Sequence, residues 1–124
     1  MSIDENVDWV TVRAGCSAVR VFEQLREQVR QDVEKRKEVG ELPFLSFDKG
    51  AAECFSVTGG TVQRRDSVTF VLSGGHIVVT APDQHIEASL TINNEGQCRL
   101  KIKGAELALW QVRKMALEKL FFEA

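Results

Sequence analysis

Residues 68–109 read VTFVLSGGHIVVTAPDQHIEASLTINNEGQCRLKIKGAELAL. In the second half of this stretch Ile86, Ala88, Leu90 and Ile92 alternate with Glu87, Ser89 and Thr91. Beyond a short gap Cys98, Leu100 and Ile102 alternate with Gln97, Arg99, Lys101 and Lys103. Alternation every second residue gives a strand one buried face and one wet face. The intervening Asn93-Asn94-Glu95-Gly96-Gln97 suits a three-residue loop, a type I turn closed by Gly96 in a left-handed bulge. That loop sets Ile92 opposite Cys98, Leu90 opposite Leu100 and Ala88 opposite Ile102. A slip of one residue would turn the whole apolar set to solvent.

Working outward, Gly74-Gly75 suits a two-residue primed turn that pairs Leu72 with Ile77 and Phe70 with Val79. A turn at Asp83-Gln84 after Pro82 would pair Ala81 with Ile86, Val79 with Ala88 and Ile77 with Leu90. Lys103-Gly104 pairs Ile102 with Ala105 and Leu100 with Leu107. The product is an antiparallel meander whose core face carries the row Leu72, Ile77, Leu90, Leu100, Leu107. Its outer face carries Ser73, His76, Thr91 and Arg99 in one row, with Lys101 beside Glu106 and Glu87 beside Lys103 in the next two.

Before the meander, residues 17–39 change to a helical period. Ala18, Phe22, Leu25, Val29 and Val33 fall on one stripe, and charged residues fall elsewhere in pairs at spacings of three or four, such as Asp32 with Arg36. Ser17 suits the N-cap, and Gly40 suits the C-terminal stop. After it, residues 110–122 read as a second helix with Val112, Ala116 and Leu120 on one side and Leu117 and Phe121 on the next. Met115 and Phe122 fall outside that arc and are candidates for an interface. The fold class expected is α+β: an N-terminal amphipathic helix, an antiparallel β-meander of six to seven strands, and a C-terminal helix, both helices packed on one face of the sheet.

Trp9 to Arg13 reads as a short strand or a packed lead-in. Strands are expected over 44–48 and 51–57 around a turn near Lys49-Gly50, where two-residue and three-residue turns put opposite faces of the second strand inward. Thr58 to Asp66 reads as a loop or a bulged extension of the preceding strand.

A chain of 124 residues with 44% hydrophobic and 27% charged residues fits a single domain over 1–124 with an ordinary core. Residues 1–8, polar and acidic, are expected to be disordered. A net charge of −2, Arg99 as the one unpaired cation of the outer face and no aromatic side chain there argue against nucleic-acid binding. The sequence shows no cationic-apolar leader and no apolar run of membrane-spanning length, so a cytoplasmic location without membrane contact is expected. Cys16, Cys54 and Cys98 have no metal-ligand or redox spacing and read as reduced thiols, Cys98 inert and core-facing, Cys16 the most reactive.

Candidate chemistry is sparse. His76, Thr91 and Arg99 form a polar row suited to a small anion, with Arg99 as the charge. His85 and Glu87 share a strand face at a spacing of two, which is too few ligands for a metal, so none is expected, nor any cofactor. No nucleophile-elbow, phosphate-loop, dinucleotide or zinc-protease motif occurs. The first reading is therefore a small non-enzymatic interaction or regulatory module, self-associating through its last helix or holding a protein partner. The alternative is a carrier that holds an apolar small molecule between a curved sheet and its helices. An enzyme using residues 58–66 or the outer face ranks last, because no catalytic residue stands out.

Overall fold

The computed structural model describes residues 7–40 and 42–122. The expected disorder at 1–8 therefore lies outside the described residues for positions 1–6. Asp8 is ordered: its carboxylate accepts from Thr11 N at 3.2 Å and from Thr11 Oγ1 at 2.7 Å, capping a short helix α1 (Trp9–Gly15). The strand expected here does not form. This cap satisfies the first turn locally, and α1 buries none of its own residues.

The long helix α2 (Ala18–Val39) forms as its periodicity predicts, with Ser17 Oγ accepting from Arg20 N and Gly40 closing it at φ 93°. It buries Val21, Phe22, Leu25, Val29 and Val33. Seven strands follow: β1 (Ser46–Ala51), β2 (Cys54–Gly60), β3 (Arg65–Ser73), β4 (His76–Ala81), β5 (Gln84–Ile92), β6 (Cys98–Ile102) and β7 (Ala105–Leu107). They lie side by side in chain order, each antiparallel to the next. The last helix is α3 (Leu109–Phe122).

The expected registers hold at three turns. Ile92 faces Cys98 and Leu90 faces Leu100, with Gly96 at φ 74° and Asn93 N donating to Gln97 O at 3.0 Å. Leu72 faces Ile77 and Phe70 faces Val79 across Gly74-Gly75, and Leu100 faces Leu107 across Lys103-Gly104. The fourth turn differs. Ala81 faces Gln84, so the turn is Pro82-Asp83 and the β4–β5 register lies two residues from the expected one. Proline fixes φ near the value required at the first central position of a type I turn, which favours Pro82 inside the turn. A slip of two keeps every face but changes the neighbours: Ile77 meets Ala88 and Val79 meets Ile86. The expected core row through Leu90 is broken at that step. β5 pairs with β4 over its first half and with β6 over its second.

At the other end, β1 and β2 settle the ambiguous facing. Phe47 faces Val57, a bulge takes up the residues between Asp48 and Ala51, and the chain reverses at Ala52-Glu53. Lys49-Gly50 is thus a bulge and not the turn. Gly50 sits at φ 59°, and a Cβ there would lie 2.2 Å from Cys54 O. Phe55 and Val57 consequently point inward and Cys54 outward. Of the two readings of residues 58–66, a loop or an extension of the preceding strand, the extension forms. Unbroken β2–β3 pairing runs out to Gly60 and Arg65, leaving only residues 61–64 to turn.

Both long helices cover one face of the sheet, and their buried residues join those of the strands in one core. Phe55 stacks on Phe70 with ring centroids 4.6 Å apart, and Phe22 from α2 meets Phe55 at 5.1 Å. Side chains of this size contribute about 1.5–3 kcal/mol each when fully buried. Arg113 Nε pairs with Asp32 at 2.7 Å and Arg36 Nε donates to Phe121 O at 2.8 Å, so the C-terminal half of α2 is tied to α3.

Candidate docking surface

Helix α3 has more apolar residues than a sheet and one neighbour can bury. Val112, Ala116, Leu117, Leu120 and Phe121 are buried, whereas Trp110 is 58% exposed and Phe122 68% exposed. Trp110, Leu117 and Phe121, spaced by seven and four, share one stripe on the side of α3 that borders α2. With Phe122 and Val39 they line a groove between the two helices of about 410 Å³. From Trp110 to Phe121 the stripe extends about 17 Å at the α-helical rise.

The groove has a cationic rim. Lys35, Arg36, Arg113 and Lys114 line it against two carboxylates, Asp32 and Glu118. Arg113 is bound to Asp32 and also donates to the Gln28 side chain. Asp32 was expected to pair with Arg36, its neighbour on the same helix. It is instead taken by Arg113, and Arg36 donates to the carbonyls of Gly40 and Phe121, both at 2.8 Å. The Arg36 guanidinium also lies 4.9 Å from the Phe122 ring centroid. Lys114 lies 3.6 Å from Glu118. Among the described residues neither Lys35 nor Arg36 has a carboxylate within 4.0 Å.

Of the two expected interface residues, Phe122 lines this groove and Met115 does not. Phe122 closes its far end. Met115, 42% exposed, lines a separate depression with Asp83, Gln84 and Lys119, where the Gln84 amide donates to Met115 O at 2.8 Å. Trp110 and Val39 are absent from the expected interface. The spacing of Trp110 from Leu117 and Phe121 placed it on the groove stripe, and that was the signal available.

The polar row of the outer face does not assemble as expected. Thr91 and Arg99 are cross-strand partners, but His76 faces Ser73 just before the last β4–β5 pair, Ile77 with Ala88. Continuing that register sets His76 level with Ser89, about 7 Å along the strand from Thr91. Nor is Arg99 unpaired: it lies 3.9 Å from Glu106, whose carboxylate also accepts from Asn93 Nδ2 at 2.6 Å. Glu106 stands directly opposite Lys101 but makes its ion contact diagonally with Arg99. His85 faces Thr80, which places it about 13 Å along the strand direction from His76. Among the described residues no three His, Cys, Asp or Glu side chains are grouped to hold a metal.

A second cleft, about 480 Å³, lies where the β2–β3 hairpin and the β4–β5 turn meet α3. Thr61, Arg64 and Asp66 from the end of the β2–β3 hairpin form one wall, and Asp83 and Lys119 another. The charges of each wall are engaged with each other, Arg64 with Asp66 at 3.3 Å and Lys119 with Asp83. Its floor is the apolar set Val68, Ala81, Ala116 and Leu120.

The thiols differ most from expectation. Cys16 and Cys98 form a disulfide with Cα atoms 5.5 Å apart, and Cys54, half-buried on the outer face, is free. Cys98 does face the core side of β6, but as half of a crosslink. The pairing was hidden because it joins the α1–α2 junction to a strand 82 residues away.

No described helix is long and apolar enough to cross a membrane. Comparison with protein families, with curated proteins and with solved structures finds no match to this chain.

Proposed function

We propose that this protein is a non-enzymatic interaction module that binds a second polypeptide on the outer side of its helix layer. The observation that carries the reading is Trp110, more than half exposed at the head of an apolar stripe that continues through Leu117 and Phe121. Tryptophan at a protein surface, with an apolar groove beside it and charges around the rim, is the composition of an interface centre. Self-association through α3, with Met115 and Phe122 at the contact, is one form such binding takes.

The carrier alternative needs space between sheet and helices. That space holds Phe22, Phe55 and Phe70, each no more than 1% exposed, so an apolar guest would have to displace the core itself. The polypeptide-binding reading needs no such displacement. We keep the cytoplasm as the proposed location. The Cys16–Cys98 bond tests it, because cytosolic thiols are ordinarily held reduced. Alkylation before lysis, followed by intact mass, counts the free thiols directly.

The reading is tested by Trp110→Ser together with a photo-crosslinking amino acid placed at position 110 or, as a control, at position 53 in the β1–β2 turn. A docking tryptophan predicts a melt within about 0.5 kcal/mol of the parent and a discrete polypeptide adduct from position 110 only. A marked loss of stability without an adduct would make Trp110 a structural residue and end the reading.

A further inference from the structure

We infer that the occupant of the α2–α3 groove is an amphipathic helix of a partner protein, apolar on one face and acidic on its flanks. The inference rests on the reading of this groove as a docking surface and adds the chemistry of what docks. The groove is about three helical turns long, with Trp110 exposed at its head, Val39 and Phe122 exposed at its far end and the buried Leu117 and Phe121 beneath, a length that a helix laid alongside would span with its own i, i+4, i+7 and i+11 side chains. Among the described residues its rim carries four cations and two carboxylates, a net positive lining in a chain whose net charge is −2. Both carboxylates are already taken by rim cations, Asp32 by Arg113 and Glu118 by Lys114.

Among the described residues, the rim cations without a carboxylate partner are Lys35 at the edge and Arg36, which bonds two backbone carbonyls and lies over Phe122. Acidic flanks on the partner would pair with these while its apolar face covers Trp110. Charge complementarity also weighs against a second copy of this chain. A two-fold contact through one patch sets that patch against itself, and here it would set a rim of four cations and two carboxylates against the same rim.

The test uses the full chain and two synthetic helical peptides of about fourteen residues with leucine at positions matching i, i+4, i+7 and i+11, one carrying glutamate and the other lysine at the flanking positions. Calorimetry is expected to show the glutamate peptide binding at least about tenfold more tightly, with the difference shrinking as salt is raised. Lys35→Glu should remove most of that preference, and Trp110→Ala should weaken both peptides while the melting curve stays in place. Equal binding of the two peptides, lost in Trp110→Ala, would overturn the acidic chemistry and leave the docking surface standing. A dimer by light scattering that Trp110→Ala dissociates, with no peptide binding, would make the occupant a second copy and overturn the inference. Absence of peptide binding from a monomer would overturn both the inference and the reading beneath it.

Discussion

Cys16, just ahead of α2, and Cys98, the first residue of β6, are joined by a disulfide that closes 82 residues of chain. The crosslink ties the start of the long helix, and α1 before it, to the far half of the sheet, where β5 has left β4 and pairs only with β6. Closing a loop of this length removes entropy chiefly from the unfolded chain, and native disulfides of this kind typically contribute about 2–4 kcal/mol.

The expected consequence is that Cys98→Ser, or the parent in excess reductant, unfolds at lower urea with a loss of about 2–4 kcal/mol. Cys54→Ser should leave the midpoint nearly unchanged, since Cys54 is free. Equal midpoints for reduced and oxidised protein would mean that the bond adds nothing to stability.

Arg26 clasps the helix layer to the first hairpin. Its Nη2 donates to Ala51 O at 2.6 Å and Ala52 O at 2.8 Å, and its guanidinium lies 5.3 Å from the Phe22 ring centroid and 5.5 Å from that of Phe55. Arg26→Met keeps much of the apolar stem and removes both hydrogen bonds to the turn. A loss of about 1–3 kcal/mol is expected, with faster amide exchange across Ala51 to Cys54. Unaltered exchange in that turn would show that the bulge and Gly50 hold it without help.

The α1 cap gives the chain a local response to acid. Two hydrogen bonds from Thr11, one from its hydroxyl and one from its backbone N–H, hold the Asp8 carboxyl below its ordinary value of 3.8. A depressed carboxyl stabilises the folded form above the unfolded value, and that contribution is lost as pH falls through the folded one. Lowering the pH from 5 towards 2 is therefore expected to fray α1 before the sheet responds, followed by NMR at the Thr11 amide. Asp8→Asn, which keeps a capping oxygen but cannot titrate, should flatten that amide's acid transition.

Much of the meander was legible because side-chain alternation and turn chemistry are both local. Gly96 demanded the bulged loop, Gly74-Gly75 the primed turn, and the α2 stripe needed only its period. The misread turn at Pro82-Asp83 kept the correct faces because a two-residue slip does not change them, which is also why apolar alternation could not detect it. Lys49-Gly50 was ambiguous for a similar reason. Gly50 serves a bulge as readily as a turn, and the burial of Phe55 beneath Phe22 of α2 selects the facing. The features that matter most for function were the least legible. The Cys16–Cys98 bond, the Asp32–Arg113 pair and the meeting of Val39 with the Trp110 stripe each bring together residues more than 60 positions apart, and no local pattern encodes these meetings.

The last turns of α3 should decide whether the chain folds at all. Ala116, Leu117, Leu120 and Phe121 are all buried, Phe121 O accepts from Arg36, and Leu120 lies over Gly59, where a Cβ would approach Leu120 Cδ1 to 3.1 Å. Ending the chain after Lys114 would withdraw three large apolar side chains at about 1.5–3 kcal/mol each, comparable with the whole stability of a small domain at about 5–15 kcal/mol. The truncated chain is expected to lose its cooperative thermal transition while Trp110, which it retains, moves to a fully solvated fluorescence. The double variant Leu117→Ala with Phe121→Ala should show the same defect in milder form, because it leaves cavities instead of removing the helix. A cooperative melt surviving in the truncated chain would mean that α2 and the sheet form a self-sufficient unit, with α3 resting on it as a separable arm.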